Sequence, residues 1–281
     1  MKNQKLEKNC FSNSSSRLLK ISGFILLAFF AFIYIFPLYS MFAVAFIKPS
    51  LASQFPECII PASFTLDNFL ELFQHPELLR WTLNSLIVSI LVTVIYVYIC
   101  AMAGYAFALY DFKWKKILFN VYLAAMIIPF QVVIVPLYIL CSAMKLNDTY
   151  AGIIAPALAA PFGVFLMKQF MLSFPYELVE AAKIDGYSDF KIFNKIVLPL
   201  SIPGISTLAT FSFVNEWNSF LWPLIITESS KMKVLQAGIS HLQAAEPMRY
   251  SYLMAAAAYS SLPVIIIFFV FQKYFLKSVK I

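Results

Sequence analysis

Long apolar runs separated by short charged interruptions dominate this chain. The first run, Ile21 to Ile47, is long enough to span a bilayer with tilt at about 1.5 Å per helical residue. Further runs extend from about Trp81 to Tyr110, Ile117 to Met144, Ala151 to Met171, Leu200 to Thr227 and Ser251 to Phe275. The pattern predicts an all-α, polytopic membrane helix bundle with six transmembrane helices. An island of charge, Leu172 to Pro199, separates the fourth run from the fifth. Charge buried in hydrocarbon is expensive, so this island is expected to face water.

The basic residues orient the runs. Lys2, Lys5, Lys8, Arg17 and Lys20 precede the first and place the N-terminus in the cytoplasm. Lys113, Lys115 and Lys116 mark a cytoplasmic turn, and Lys277 and Lys280 put the C-terminus inside. Residues 48–80 carry Glu57, Asp67, Glu71 and Glu77 against Lys48 and Arg80, and so read as external. Within them Asp67 can cap a short amphipathic helix with Phe69, Leu70 and Phe73 on one side. Lys145–Tyr150 is near neutral and external. The stretch from Glu228 to Arg249 is also external, although Lys231, Lys233 and Arg249 sit on the wrong side for the rule. The organisation expected is a cytoplasmic tail (1–20), a first helix with its external loop (21–79), and a transmembrane domain (80–281) holding the cytoplasmic loop 172–199. Pro129, Pro136, Pro156 and Pro161 punctuate the middle runs. Each frees a backbone carbonyl, as an ordinary kink or as a break near a transport pathway.

Composition supports an integral membrane protein. The apolar fraction is 61% and the charged fraction 12%, against roughly 45–50% and about 25% in soluble domains. The net charge of +7 is accounted for by the cytoplasmic flanks. No basic helix or aromatic platform accompanies it, so nucleic-acid binding is not expected. The polar lead before the first run is about twenty residues long and lacks the short core and cleavage site of a signal peptide. Cys10, Cys58, Cys100 and Cys141 form no paired spacing, and His75 and His241 stand in loops, so no disulfide framework or metal site is expected. Phosphate-loop, H-E-x-x-H and G-x-S-x-G motifs are absent from the sequence, which argues against an ATPase or a hydrolase.

The island has the local signals of two short helices. Ser173 can cap the first, with Pro175 and Glu177 in its opening turn. Leu178, Ala181, Ala182 and Ile184 would form a small apolar surface ringed by Glu177, Glu180, Lys183 and Asp185. Gly186 suits a left-handed C-terminal cap. Ser188 can cap the second helix, with Phe190, Phe193 and Ile196 apolar and Pro199 ending it. By these residues alone, the loop either covers its own bundle or docks on another protein. In the fifth run Asn215, Glu216, Trp217 and Asn218 bring polar and aromatic chemistry into the membrane, where a carboxylate is a functional candidate. They suit either a sugar pathway or a contact between subunits. Gln131, beside Pro129, is a weaker candidate.

The run Pro175–Gly186 and the later Leu198-Pro199 resemble the EAA loop of permease subunits from binding-protein-dependent ABC importers. Asn84-Ser85-Leu86, Gly104-Tyr105-Ala106, Leu146-Asn147-Asp148-Thr149 and Glu216 to Leu224 are similar to the carbohydrate-uptake branch, the maltose/glycerol-phosphate/oligosaccharide type. The resemblance covers nearly the whole chain, most clearly from residue 80 onward. Tyr187 departs from it, standing where that family often has a small residue. The resemblance implies a type I importer permease fold in a bacterial inner membrane. It implies a coupling helix seated on a cytoplasmic ATPase dimer, with Glu180, Ala181, Ala182, Asp185, Gly186, Leu198 and Pro199 in the coupling loop. It further implies a second, different permease chain and an extracytoplasmic solute-binding protein. ATP and Mg would bind the partner ATPase, with no cofactor on this chain. A glycerol-phosphate or other polyol-derivative permease is an alternative. An ion-coupled secondary transporter is a rival class, but Glu216 is nearly alone as an intramembrane charge.

Overall fold

The computed structural model describes residues 2–48, 64–159, 161–245 and 249–278, with side chains described between residues 20 and 270. Glu57, Cys58 and Lys280 lie outside the described residues, as do the side chains of Lys2, Lys5, Lys8, Cys10, Arg17 and Lys277. Among the described residues every regular element is helical: α1 (Lys2–Ala45), α2 (Asp67–Gln74), α3 (Leu78–Leu109), α4 (Lys115–Ala125), α5 (Phe130–Ala143), α6 (Tyr150–Ala157), α7 (Phe162–Met171), α8 (Glu177–Ile184), α9 (Asp189–Ile192), α10 (Leu198–Leu200), α11 (Ile202–Trp217), α12 (Leu221–Ile226), α13 (Leu235–Ala245) and α14 (Tyr250–Ser278). A π-helical turn, Phe193–Val197, joins α9 to α10, and a 3₁₀ turn, Ser230–Met232, precedes α13.

Three of the six expected spans are continuous: Lys20–Ala45, Leu78–Leu109 and Tyr250–Val270. The others are broken. α4 and α5 meet at 99° rather than forming one straight helix from Ile117 to Met144. Pro129 supplies the reason. It disfavours helical backbone at Ile128, and it stands at the N-cap of α5 with ψ 136°. α6 and α7 also bend, with Pro161 at the N-cap of α7. Residues 189–200 meet α11 at 80°, and α11 stops at Trp217 instead of running to Thr227. Pro136 and Pro156 sit inside α5 and α6.

The contacts group the chain into two units. In one, α2 joins the end of α1 and the start of α14. The Asn68 amide donates to the carbonyls of Ala45 and Ile47, at 2.9 and 2.8 Å, and its oxygen accepts from Ser251 at 3.2 Å. Asn68 and Leu72 are the buried face of α2; Leu70 and Phe73 are exposed, contrary to the expected apolar side. Asp67 opens the helix rather than capping it, and its N–H is taken by the Thr65 hydroxyl. Arg249, a wrong-side cation, is neutralised by a two-pronged ion pair with Glu71. The hydrogen bond from Arg249 holds the Glu71 carboxyl below its usual range.

In the other unit α3 packs against α7 and α11. Small residues set the distance. A Cβ on Gly104 would lie 2.6 Å from that of Met167 and 2.9 Å from the Lys168 backbone. Gly163 lets α7 approach Tyr96, whose hydroxyl accepts the Gly163 N–H at 2.7 Å. The beginning of α3 clamps the segment that carries Lys231 and Lys233. Trp81 donates to the Ser230 carbonyl, Asn84 donates to those of Lys231 and Lys233, and Ser85 accepts from the Leu235 N–H. Asp148 accepts the N–H groups of Glu228 and Ser229, each at 3.1 Å.

Two outcomes follow. Gly104→Ala will overpack the α3–α7 contact and cost about 1–3 kcal/mol, read as an earlier thermal unfolding midpoint in detergent. For Asp148, burial raises the pKa, but hydrogen bonds from Ser229 and Glu228 outweigh it and leave it lowered. A depressed carboxylate stabilises above its ordinary value of 3.8 and loses that contribution as pH falls through the folded value. Asp148→Asn will therefore flatten the acid side of the stability–pH curve.

Candidate functional site

The charged island is folded. α7 closes with the Ser173 hydroxyl donating to the Phe170 carbonyl at 2.7 Å, so Ser173 ends α7 and does not cap α8. α8 begins at Glu177 with Glu177 and Glu180 in its first turn and Lys183 in its last, an order that suits the helix dipole. Its expected apolar surface is divided. Val179 and Ala182 turn inward and are buried, at 2% and 5% exposure, while Leu178 and Ile184 stand outward at 43% and 86%. Ala181, Glu180, Asp185 and Gly186 are exposed with them. Ala182 therefore seats α8 on its own bundle, and the outer surface belongs to its neighbours.

Gly186 terminates α8 with φ +78°. Its N–H bonds the Lys183 carbonyl and the Tyr187 N–H bonds that of Ala182, both at 3.0 Å. That pair of bonds is a Schellman cap, which turns the chain sharply toward α9. Ser188 occupies the N-cap position of α9 in extended backbone, but its side chain makes no capping bond. Ile192, Phe193 and Val197 anchor the second half of the island in the core, while Phe190 is 65% exposed. Leu178, Ala181, Asp185, Tyr187, Lys195 and Ile196 line an open groove between α8 and the π-helical turn, with the largely buried Ala182 at its wall. Leu198 and Pro199 form α10 at the foot of α11. The loop thus presents a mixed outer face, with Leu178, Ile184 and Phe190 exposed among the charged side chains of Glu177, Glu180, Asp185 and Lys191. That suits contact with another protein.

The polar set of the fifth span separates into two kinds. Asn215 and Asn218 are exposed and Glu216 is half-buried. Asn215 donates to a Glu216 carboxylate oxygen at 3.1 Å, and Asn218 donates to the Val214 carbonyl at 2.9 Å where α11 ends. Trp217 does not join them. It is fully buried, donates its indole N–H to the Ser260 carbonyl at 2.8 Å and stacks on Phe213. The physical reason is the helical turn: adjacent residues point about 100° apart, and the bulkiest apolar ring goes to the core. Gln131 and His241 are exposed, and the His75 ring lies against that of Trp81, tilted by 39° with centroids 4.9 Å apart. Among the described residues no group of three or more His, Cys, Asp or Glu side chains could hold a metal.

Sequence reasoning missed a cluster beneath the loop. Tyr98, Tyr105 and Tyr110 on and just after α3 contact Phe193, Asn194 and Asp189 of the island. These partners are about eighty to a hundred residues apart, and no local signal links them.

Residues 100–281 match the family described as the binding-protein-dependent transport system inner membrane component. The chain belongs to this family. It is similar to the arabinooligosaccharides transport system permease protein AraQ of Halalkalibacterium halodurans, with 36% identity over 90% of this chain and 92% of that one. It is 30% identical to the sn-glycerol-3-phosphate transport system permease protein UgpE of Brucella abortus, over 97% and 98% of the two chains. In fold it resembles a chain of a bacterial ABC transporter for the acidic polysaccharide alginate, with TM-score 0.82, 20% identity, and coverage of 93% and 98%. A chain of the MetNI methionine transporter matches with TM-score 0.53 and 16% identity, over 70% of this chain and 93% of that one. Members of this family are transport components, and this chain is one of them, not an enzyme.

Because nothing lies within 4 Å of a Cβ placed on Gly186, substitution there tests backbone strain alone. Gly186→Asn will be tolerated better than Gly186→Val, since Asn visits left-handed backbone and a β-branched residue resists it. Limited proteolysis of the island will show the order.

Proposed function

We propose that this chain is one permease half of an ABC importer that carries a sugar or oligosaccharide across a bacterial inner membrane, with both termini cytoplasmic. The observation that carries the reading is the outer face of the folded island, where Leu178, Ile184 and Phe190 are exposed and Leu178 lines an open groove. A rigid loop that leaves large apolar side chains in water gains by covering them. The occupant is a cytoplasmic ATPase subunit, because the sequence has no phosphate loop of its own. ATP and Mg act on that partner. Closure of an ATPase dimer displaces α8, the two permease chains turn outward, and a solute-binding protein delivers substrate to the opened cavity. Glu180, Ala181, Asp185 and Gly186 lie on the docking side, Ala182 seats the helix, and Leu198 and Pro199 join it to α11.

Asn215, Glu216 and Asn218 are assigned to the pathway. Carboxylate and amide groups match the hydroxyls of a sugar. The same carboxylate repels a phosphate ester, and no Lys or Arg occurs from Leu200 to Thr227 to offset it. A neutral oligosaccharide therefore fits this chain better than glycerol phosphate. The name of the AraQ relatives makes arabino-oligosaccharides the first substrates to assay.

Ile184→Asp with Phe190→Asp will leave the chain in the membrane and abolish capture of the ATPase. Undiminished capture contradicts the docking role. Glu216→Gln will retain the complex and lower arabinotriose uptake about tenfold, the weight of one hydrogen bond to a charged group. Loss of pairing with the second permease would instead make Glu216 a subunit contact. Uptake that survives ATP depletion and collapses with an ionophore would point to an ion-coupled transporter.

A further inference from the structure

One carboxylate joins three elements at the inner end of the bundle. Asp189, the first residue of α9, accepts a hydrogen bond from the Tyr110 hydroxyl through Oδ1. The same oxygen lies 3.6 Å from the Lys183 ammonium of α8. Lys183 also sits 4.7 Å over the Tyr110 ring. Tyr110 immediately follows α3, and its N–H closes that helix on the Ala106 carbonyl. Behind it the buried Tyr105 hydroxyl is 2.8 Å from that of Tyr110, with the two rings edge to face at 5.2 Å.

A second contact lies deeper on the same side of α3. The Phe193 ring sits between those of Tyr98 and Tyr105, at 5.7 and 5.5 Å. Tyr98 donates to the Asn194 amide oxygen at 3.2 Å. Phe193 and Asn194 open the π-helical turn. Such turns interrupt regular helix and recur where geometry serves function. Tyr98 and Tyr105 are two helical turns apart, so they share a face of α3.

We propose that Tyr110 is a positioning residue that latches the coupling loop to α3, so that displacement of α8 carries α3 with it. The proposal rests on the coupling role given to the loop above. The latch is poorly placed to contribute stability. The Lys183 and Asp189 side chains are 42% and 62% exposed, and exposed ion pairs add little. Its geometry instead serves direction. Lys183 lies one residue from Ile184 on the docking helix, Asp189 begins the return helix, and Tyr110 ends the span that α7 and α11 both pack against. A push on α8 reaches Asp189 through the Lys183 ion pair and reaches the end of α3 through the Tyr110 hydroxyl and ring. The buried Phe193 contact keeps the return helix from sliding along α3 as the push arrives.

The test uses the full complex in nanodiscs, with spin labels at Glu177→Cys on α8 and Lys113→Cys beyond α3, in a chain whose four native cysteines are replaced by Ser. With the latch intact, the label distance will be the same without nucleotide and with Mg-ATP and vanadate. Tyr110→Phe keeps both rings and removes one hydroxyl. It will leave ATPase capture unchanged and add a second, displaced distance population in the vanadate-trapped state. Asp189→Asn, which still accepts the Tyr110 hydroxyl, will show less of that population. An unchanged distance distribution in Tyr110→Phe, with the ATPase bound, overturns the latch and leaves the coupling reading standing. Equal loss of ATPase capture and of the fixed distance makes Tyr110 a structural support of the loop and also overturns it. Failure of the unmutated chain to bind any ATPase removes the coupling reading, and the latch with it.

Discussion

Hydrocarbon neither hydrates charge nor bonds to an open backbone, and both prohibitions shape this protein. Every regular element among the described residues is a helix, which satisfies its own backbone. The charged residues between the fourth and fifth spans must leave the bilayer, and they leave it as folded structure. Where a helix ends, nearby groups take up its open carbonyls. The Schellman cap at Gly186 does this for α8 in the island, and the Asn218 amide does it for α11. At the other end of the bundle, α3 side chains hold the carbonyls of the turn that bears Lys231 and Lys233. The loop that appeared to break the charge rule is therefore fixed by its backbone. Arg249 is answered by Glu71.

Rigidity on both sides of the membrane gives the proposed mechanism its physical basis. A docking loop transmits force only if it is stiff and attached. The cap at Gly186, the buried Val179, Ala182 and Ile192, and the tyrosine contacts from α3 supply both properties. α3 in turn packs closely on α7 through Gly104 and Gly163, so motion at its inner end reaches the helices around the candidate pathway.

Much of the fold was legible because membrane spans follow from composition and length. The six runs, the folded island and the left-handed Gly186 could all be read from local pattern. The breaks were only half legible. Prolines mark where a helix can break, but Pro129 stands at the start of α5 while Pro136 sits within the same helix. The site was legible in residue type but not in direction. Ala182 and Ala181 look alike in sequence, yet one is buried and the other exposed. Trp217 looked like a sugar platform beside Glu216, but a hydrogen bond to Ser260 and stacking on Phe213 hold it in the core. The contact of Tyr110 with Asp189 depends on tertiary placement and leaves no mark in the local sequence.

The central claim is that this chain works only as part of an ATP-driven assembly docked through residues 178–190. Mild-detergent purification from the native membrane, after cross-linking through a photoreactive residue at Ile184, tests it most directly. The account predicts a cross-link to a nucleotide-binding ATPase, with a second permease in the same complex. A chain that purifies intact with no partner cross-linked at Ile184, under conditions that preserve other membrane complexes, would contradict it.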